Sequence, residues 1–428
     1  VLLKADTTGT DNQVDASTIE RTLTEAGNVT STALSPYHPG GYSTYFDGTG
    51  DYLTYPNSTD FQFGTGDYTV EAWLYPTNTP GGGVNYDQTV FGHLTSSPVP
   101  MFFYLDDATL KPGLYDGNAS GVSTIACTQD AWNHVAWVRQ SGTFKIYVNG
   151  VEGFSVASNT NYTTSTAPFT GKSNLDSTRN FYGYIKDLRI VKGTAVYTSA
   201  FTPPTEALTA ITNTVLLACH LPYFADGSAN SHTLTIAGNT STKRFGPYDY
   251  FSYEKADHGG SVYFDGTGDY ITTPADTTHL TMSGDFTIDF WIYPTSAYSN
   301  EYIYGKYNNN SDGWAIFTTT DYSSGNLGSL AFYYGNYGSN ESATSIRTEK
   351  IKQNQWNHCR ITRESGVFYM AINGVVGTRS NYGANGLSWS DTRTFNANTT
   401  IGIGGNTASW SQGPGYMAEL RVINGTAL

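Results

Sequence analysis

Two stretches of the chain place carboxylates four residues apart on a glycine-rich turn. They are Asp47-Gly48-Thr49-Gly50-Asp51 and Asp265-Gly266-Thr267-Gly268-Asp269. Such a turn can present several oxygens to one hard cation such as Ca²⁺. The same residues also suit a plain tight turn, with Asp-Gly at the bend and the second aspartate capping it. Other acids stand alone: Glu71 and Asp289 each lie in an alternating strand with no E-x-D-x-E run around them. His134 and His358 each follow Trp-Asn, and no convergent ligands recur beside them, so they read as packed, hydrogen-bonded histidines. No GxSxG, HExxH or phosphate-cradling glycine loop occurs. Cys127, Cys219 and Cys359 lack metal-ligand spacing and read as buried small thiols.

Aromatic residues supply the second kind of candidate chemistry. Tyr86, Tyr104 and Tyr115 lie in or near a Gly-rich stretch (Gly81-Gly82-Gly83). Tyr302, Tyr304 and Trp314 flank the run Asn308-Asn309-Asn310, and Tyr334, Trp389 and Trp410 follow it. Exposed, such rings offer flat apolar faces to sugars, while nearby Asn and Asp bond hydroxyls. Turned inward, the same rings simply pack.

These residues sit on a repeated framework. Residues 45–52 and 263–270 both read YFDGTGDY, and YTVEAWLYPT (68–77) aligns with FTIDFWIYPT (286–295). Trp132-Asn133-His134 matches Trp356-Asn357-His358, Val148-Asn149-Gly150 matches Ile372-Asn373-Gly374, and YIKDLRIV (184–191) matches YMAELRVI (416–423). Val1-Leu2-Leu3 matches Val215-Leu216-Leu217. Each copy is roughly 210 residues, too long for a solenoid unit of about 20–50, so the copies are whole domains. The boundaries read as 1–196, a Pro203-Pro204 linker at 197–214, and 215–428. The second copy lacks a counterpart of 197–204, which suggests a chain cut from something longer.

The repeated anchors are short β-branched and aromatic runs ended by Gly, Asn, Asp or Pro, so they are strands. Ala131–Gln140 and Thr143–Asn149 form a hairpin, and Asn149-Gly150 opens the next tight turn. Trp73, Trp132, Trp291 and Trp356 recur at matched positions and read as core. Composition agrees with an all-β chain: 33 Tyr, 21 Phe and 8 Trp, 46 Gly, and only 14% charged residues. The net charge of −14 disfavours nucleic acid, which requires a basic face. No apolar run approaches the ~20 residues of a membrane-spanning helix.

The succession FDGTGDYL, YTVEAWLYPT, WNHVAWVR, FKIYVNG and GYIKDLRIVKGTAVYTSAFTPP resembles laminin-G-like, concanavalin A-like lectin/glucanase domains. The resemblance implies two tandem antiparallel β-sandwiches of the jelly-roll type. It also implies a rim Ca²⁺ site, to which Asp187 and Glu419 would contribute beside Asp47, Asp51, Asp265 and Asp269. The ending KGTAVYTSAFTPP is similar to modules of bacteriophage structural proteins. The expectation is therefore a non-catalytic tail-fibre or capsid-appendage module on the virion surface. Its partners would be virion proteins, further copies of itself, or a host glycan. A secreted bacterial adhesin or lectin, and a polysaccharide-active enzyme, are the alternatives.

Overall fold

The structure, a computed structural model, describes residues 3–5, 13–15, 23–27, 29–32, 41–78, 87–93, 101–116, 121–163, 166–172, 178–244, 246–247, 260–296, 301–306, 313–318, 328–334, 342–346, 350–377, 379–381, 384–386, 389–390, 392–405 and 413–428. Nearly all regular structure in these residues is antiparallel strand, with one 3₁₀ turn at Thr59–Phe61. Among the described residues no helix is long and apolar enough to cross a membrane.

The chain forms two compact units, His38–Tyr250 and Val1–Tyr37 with Phe251–Leu428. In the first unit, one sheet is centred on Tyr68–Pro76, Asn133–Gln140, Thr143–Val148 and Tyr182–Lys192. The other contains Gln88–His93, Met101–Leu105 and Pro112–Tyr115. Alternation along each strand sends Val70, Leu74, Trp137 and Ile146 from one sheet against Phe91, Phe103 and Leu114 from the other. The second unit repeats this plan. Ile288, Phe290, Ile361 and Phe368 meet Tyr304, Trp314, Phe332 and Ile403 across its two sheets. The fold is a pair of jelly-roll sandwiches.

The expected hairpins are present. Asn149 and Asn373 both adopt left-handed backbone at φ 49° and 52°, followed by Gly150 and Gly374 at 80° and 81°. That pair of positive φ values is what a two-residue Asn-Gly hairpin turn requires. Each Asn also accepts, through Oδ1, the backbone N–H of the matched histidine, at 2.8 Å for His134 and 2.9 Å for His358. Arg139 and Arg363 are buried but fully used: each guanidinium donates to backbone carbonyls at the sandwich edge.

The units do not follow the repeat boundaries read from the sequence. Residues 197–214 are no free linker, because Tyr197 and Phe201 pack on the first unit's sheet. Thr214–Ala218 pairs with Tyr182–Lys192, and Thr235–Ala237 and Ser241–Arg244 extend both sheets of that unit. Residues of the first repeat, Thr24–Ala26 and Thr30–Thr32, take the matching edges in the second unit. The leading part of each repeat thus completes the body of the other. Sequence repetition marks what is duplicated, and strand pairing decides what folds together.

Candidate functional site

The two Asp-Gly turns are alike in detail. Asp47 Oδ1 accepts the N–H of Thr49 at 2.7 Å, and Asp51 Oδ2 accepts the N–H of Asp47 at 3.0 Å. Asp265 and Asp269 reproduce both bonds, at 2.6 and 2.8 Å. Asp51 and Asp269 are fully buried. Asp51 Oδ1 also accepts the N–H of Asn239 at 2.7 Å. Burial pushes the Asp51 carboxyl above its ordinary range, and the N–H groups of Asp47, Asn239 and Thr240 offset part of that rise. These oxygens are engaged by backbone donors, so the turns work as buried acceptors that pin neighbouring chain.

Asp187 and Glu419 stand elsewhere, each in left-handed backbone at φ 52° where the long last strand bulges. The Asp187 carboxylate takes the ammonium of Lys186 at 3.0 Å and the N–H of Leu208 at 3.0 Å. Burial draws the Lys186 amine below its usual value, opposed by that pairing. The six acids expected to form rim cation sites are therefore distributed between turn and bulge. The described carboxylates that do cluster are Asp87, Asp106 and Asp107, whose oxygens lie within 4.8 Å of one another. Burial lifts Asp87 to about 6, with Arg179 at 2.9 Å opposing and the two neighbouring acids adding to the rise. A cation could take this group, and neither its spacing nor its location shows in the sequence.

The aromatic expectations need correction. Tyr304, Trp314 and Tyr334 are core residues, because their strands direct them between the sheets of the second sandwich, and Tyr302 is buried in a separate cluster with Ala315 and Phe317 on the other face of its sheet. Trp314 Nε1 donates inward to the carbonyl of Asn396 at 3.0 Å. Tyr104 is half-buried, with its ring stacked on Phe102 at 5.0 Å. Only Tyr115 is clearly open, at 44% exposure. Tyr86, Trp410 and the side chain of Trp389 lie outside the described residues. The histidine reading fares differently in the two copies, and that difference identifies the most site-like surface.

In the first unit Glu71 is buried on the sheet Tyr68–Pro76. It accepts His134 Nε2 at 3.1 Å, Arg189 at 2.6 and 2.9 Å, and the Tyr197 hydroxyl at 2.7 Å. Burial opposes its charge, but the His134 bond and the Arg189 guanidinium hold the carboxyl below its usual range. Tyr197 and Phe201 stack at 3.7 Å and close this face over Ala136, Val138 and Tyr147. Phe201 also donates its N–H to the carbonyl of Gly150 at 3.0 Å. This face is sealed.

On the matched face of the second unit the described residues run to Leu428, the position that matches Val196. Asp289 stands in place of Glu71, bonded to Arg360 at 3.1 Å and to Arg421 at 3.1 and 2.7 Å. Arg360, Thr362 and Ala371 stand where the first unit has Ala136, Val138 and Tyr147. A cavity of about 440 Å³ lies over them, lined also by His358, Glu364 and Tyr369. Two buried polar atoms facing this region, Arg360 Nε and Thr362 Oγ1, have no hydrogen-bond partner among the described residues. Tyr369 is 37% exposed and supplies an apolar ring at the rim. Burial lowers the His358 imidazole's affinity for a proton, and Arg360 and Arg421 act in the same direction against Asp289.

A sequence profile of the laminin-G type within the concanavalin A-like lectin/glucanase superfamily matches residues 47–196 and 265–428. The chain belongs to this superfamily. Among solved structures, the LG4-5 domains of mouse laminin alpha1 are 12% identical, covering 91% of this chain and 90% of that one at a TM-score of 0.30. A Bacteroides ovatus protein provisionally assigned to carbohydrate binding is 14% identical, with 51% of this chain covered at a TM-score of 0.40, and the chain spans 63% of its length. The enzymatically active domain of tailspike protein 2 from bacteriophage CBA120 is 15% identical, covering 38% of this chain and 25% of that one at a TM-score of 0.29. No curated protein sequence matches the chain.

Proposed function

We propose that this lectin-like chain is a non-catalytic carbohydrate-binding and adhesion module, and that the sheet face of its second unit around His358, Arg360 and Tyr369 is the glycan site. The carrying observation is the cavity of about 440 Å³ over His358, Arg360, Thr362, Glu364 and Tyr369. Its volume lies in the range of small-ligand pockets, which combine apolar wall with a few placed polar groups. Tyr369 offers a ring face to a sugar, Arg360 and Thr362 bond hydroxyl or carboxylate oxygens, and Glu364 accepts from hydroxyls.

A binding role is favoured over glycoside hydrolysis by the state of the acids on this face. Hydrolysis by a carboxylate pair needs one protonated acid and one free base or nucleophile on either side of the scissile bond. Asp289 is instead paired with two guanidiniums, and Glu71 is sealed beneath Tyr197. The KGTAVYTSAFTPP ending supports placing the module among virion tail or capsid-appendage proteins, with a bacterial surface adhesin as the second setting.

The test is a glycan array probed with the full chain, followed by titration of the retained glycan against Arg360→Gln and Tyr369→Ala. Binding that falls at least about tenfold in each variant, matching loss of one charge-assisted hydrogen bond or one stacking surface, supports the site. An array with no retained glycan overturns the reading, as does a glycan bound equally by both variants. Release of reducing sugar that is lost in Asp289→Asn would replace it with an enzyme.

A further inference from the structure

In the second unit, strand pairing lays one row of residues across neighbouring strands. Arg421 lies opposite Asp289, Asp289 opposite Arg360, Arg360 opposite Ala371, and Ala371 opposite Val376. Directly opposed residues project from the same side of a sheet. The matched row of the first unit is Arg189, Glu71, Ala136, Tyr147 and Glu152. The first-unit row holds a single guanidinium and a pair of carboxylates. The second-unit row reverses that balance, with a pair of guanidiniums around a single carboxylate.

The surplus cation is Arg360. Arg421 engages both oxygens of Asp289, Nε donating to Oδ1 at 3.1 Å and Nη2 to Oδ2 at 2.7 Å. A two-pronged pairing of this kind matches a carboxylate's charge and shape with one arginine. Arg360 adds only its Nη2, which donates to the already shared Oδ2 at 3.1 Å. Its side chain is 34% exposed, so the rest of the guanidinium fork can meet a second acceptor. Glu364, the acid that also lines the cavity, is four residues further along the strand. At about 3.3 Å per residue that is about 13 Å away, beyond the ~8 Å screening length of physiological salt. His358 adds no charge near neutral pH, because burial, with Arg360 and Arg421, lowers its proton affinity against the pull of Asp289.

The surroundings of Arg360 suit a sugar that carries an acid. Ala371 leaves a dent where the first unit has the ring of Tyr147. Tyr369 precedes Ala371 by two residues and lies diagonally across from Arg360, its ring 37% exposed. Diagonal neighbours stand about 7–8 Å apart, a span that a pyranose ring and its carboxyl substituent can bridge. The chain as a whole, at a net charge of −14, repels acidic polymers, so attraction of one must be local.

We propose that this face selects acidic glycans, those bearing a sugar carboxylate such as a uronate or a sialate, and that Arg360 is the residue that reads the carboxylate. The proposal rests on the glycan reading of the same face and names the class of glycan it takes.

The test sets acidic sugars against neutral counterparts. The full chain is titrated with oligogalacturonate and its methyl ester, and with sialyllactose and lactose, which separates the two sources of carboxylate. The expected result is an acidic sugar bound at least about tenfold tighter than its counterpart, as one charge-assisted pairing supplies. The preference weakens as salt is raised. Arg360→Gln brings the acidic and neutral sugars to one affinity, and Arg360→Lys keeps part of the difference. Circular dichroism matching the parent shows that both variants fold. Equal affinity for acidic and neutral sugars in the parent overturns the proposal and leaves glycan binding standing. So does a preference that survives in Arg360→Gln. A glycan array that retains a neutral sugar while neither acidic probe binds has the same meaning, whereas an array that retains nothing removes the glycan reading as well.

Discussion

Glu71→Gln is the sharpest perturbation of the first unit. The carboxylate is fully buried and neutralises the Arg189 guanidinium, itself 7% exposed, while also accepting from His134 and Tyr197. The amide keeps the shape but removes the charge and turns one acceptor into a donor facing cationic and donor groups. Breaking one side of a buried ion pair typically costs about 3–5 kcal/mol, because the partner charge stays buried. For a unit of this size each kcal/mol lowers the melting temperature by about 2–4 °C, so a fall of about 6–20 °C is expected. The second unit provides the comparison. Asp289 meets Arg360 and Arg421, whose side chains are 34% and 42% exposed, so Asp289→Asn is solvent-compensated and costs about 1 kcal/mol. Differential scanning calorimetry on the full chain reads both. In Glu71→Gln the transition of His38–Tyr250 drops; in Asp289→Asn the other moves by a few degrees at most. Acid titration adds a signed check. The folded Glu71 carboxyl lies below its ordinary value, so its stabilisation is complete above about 4.3, the unfolded value, and is lost as pH falls below it. Equal costs for the two variants, or a first-unit transition that strengthens below that pH, would refute the reasoning.

Other expectations follow from single contacts. Gly238→Ala forces a left-handed backbone with a side chain against Asp51 and costs about 1–3 kcal/mol, read as faster hydrogen exchange at residues 235–244. Asp87 is raised to about 6, so its folded form favours the proton and stability falls as pH rises from about 4 to about 6; Asp87→Asn raises stability at pH 7 by about 1–2 kcal/mol in a melting experiment without added cations. Chelation leaves the second unit's transition unchanged in calorimetry, since Asp265 Oδ1 and Asp269 Oδ2 each accept a backbone N–H of the turn.

The sandwich was legible because its anchors obey local rules. Alternating strands such as YTVEAWLY, the Asn-Gly turns and the recurring Trp-Asn-His all express period-two burial or fixed turn geometry. The same locality explains what was missed. Tyr302, Tyr304, Trp314 and Tyr334 flank an Asn-rich run that reads as a loop, yet short strands bury all four, the last three in the core. Nothing in a linear repeat reveals that residues 24–32 pair with residues 261–272, although the repeated TLT-x-AGN string was a usable signal that the segment matters. The acidic group Asp87, Asp106 and Asp107 arises only when two strands and their turn meet.

The two sheet faces differ in the bed that each offers to a covering segment. Tyr197 and Phe201 bind the first face because Ala136, Val138 and Tyr147 form an apolar bed and Glu71 accepts the Tyr197 hydroxyl. At the same places the second face has Arg360, Thr362 and Ala371, a bed that the Arg360 charge and the loss of apolar surface make unfavourable for two stacked rings. Three substitutions should therefore convert one face into the other. The variant Arg360→Ala, Thr362→Val, Ala371→Tyr is expected to bind a free peptide of residues 194–205 on its second unit, while the parent does not. It is also expected to lose any glycan held there. Fluorescence anisotropy of a labelled peptide measures the first change and glycan titration the second. A parent chain that binds the peptide as well as the variant would mean that the covering segment, and not the bed beneath it, decides which face is sealed.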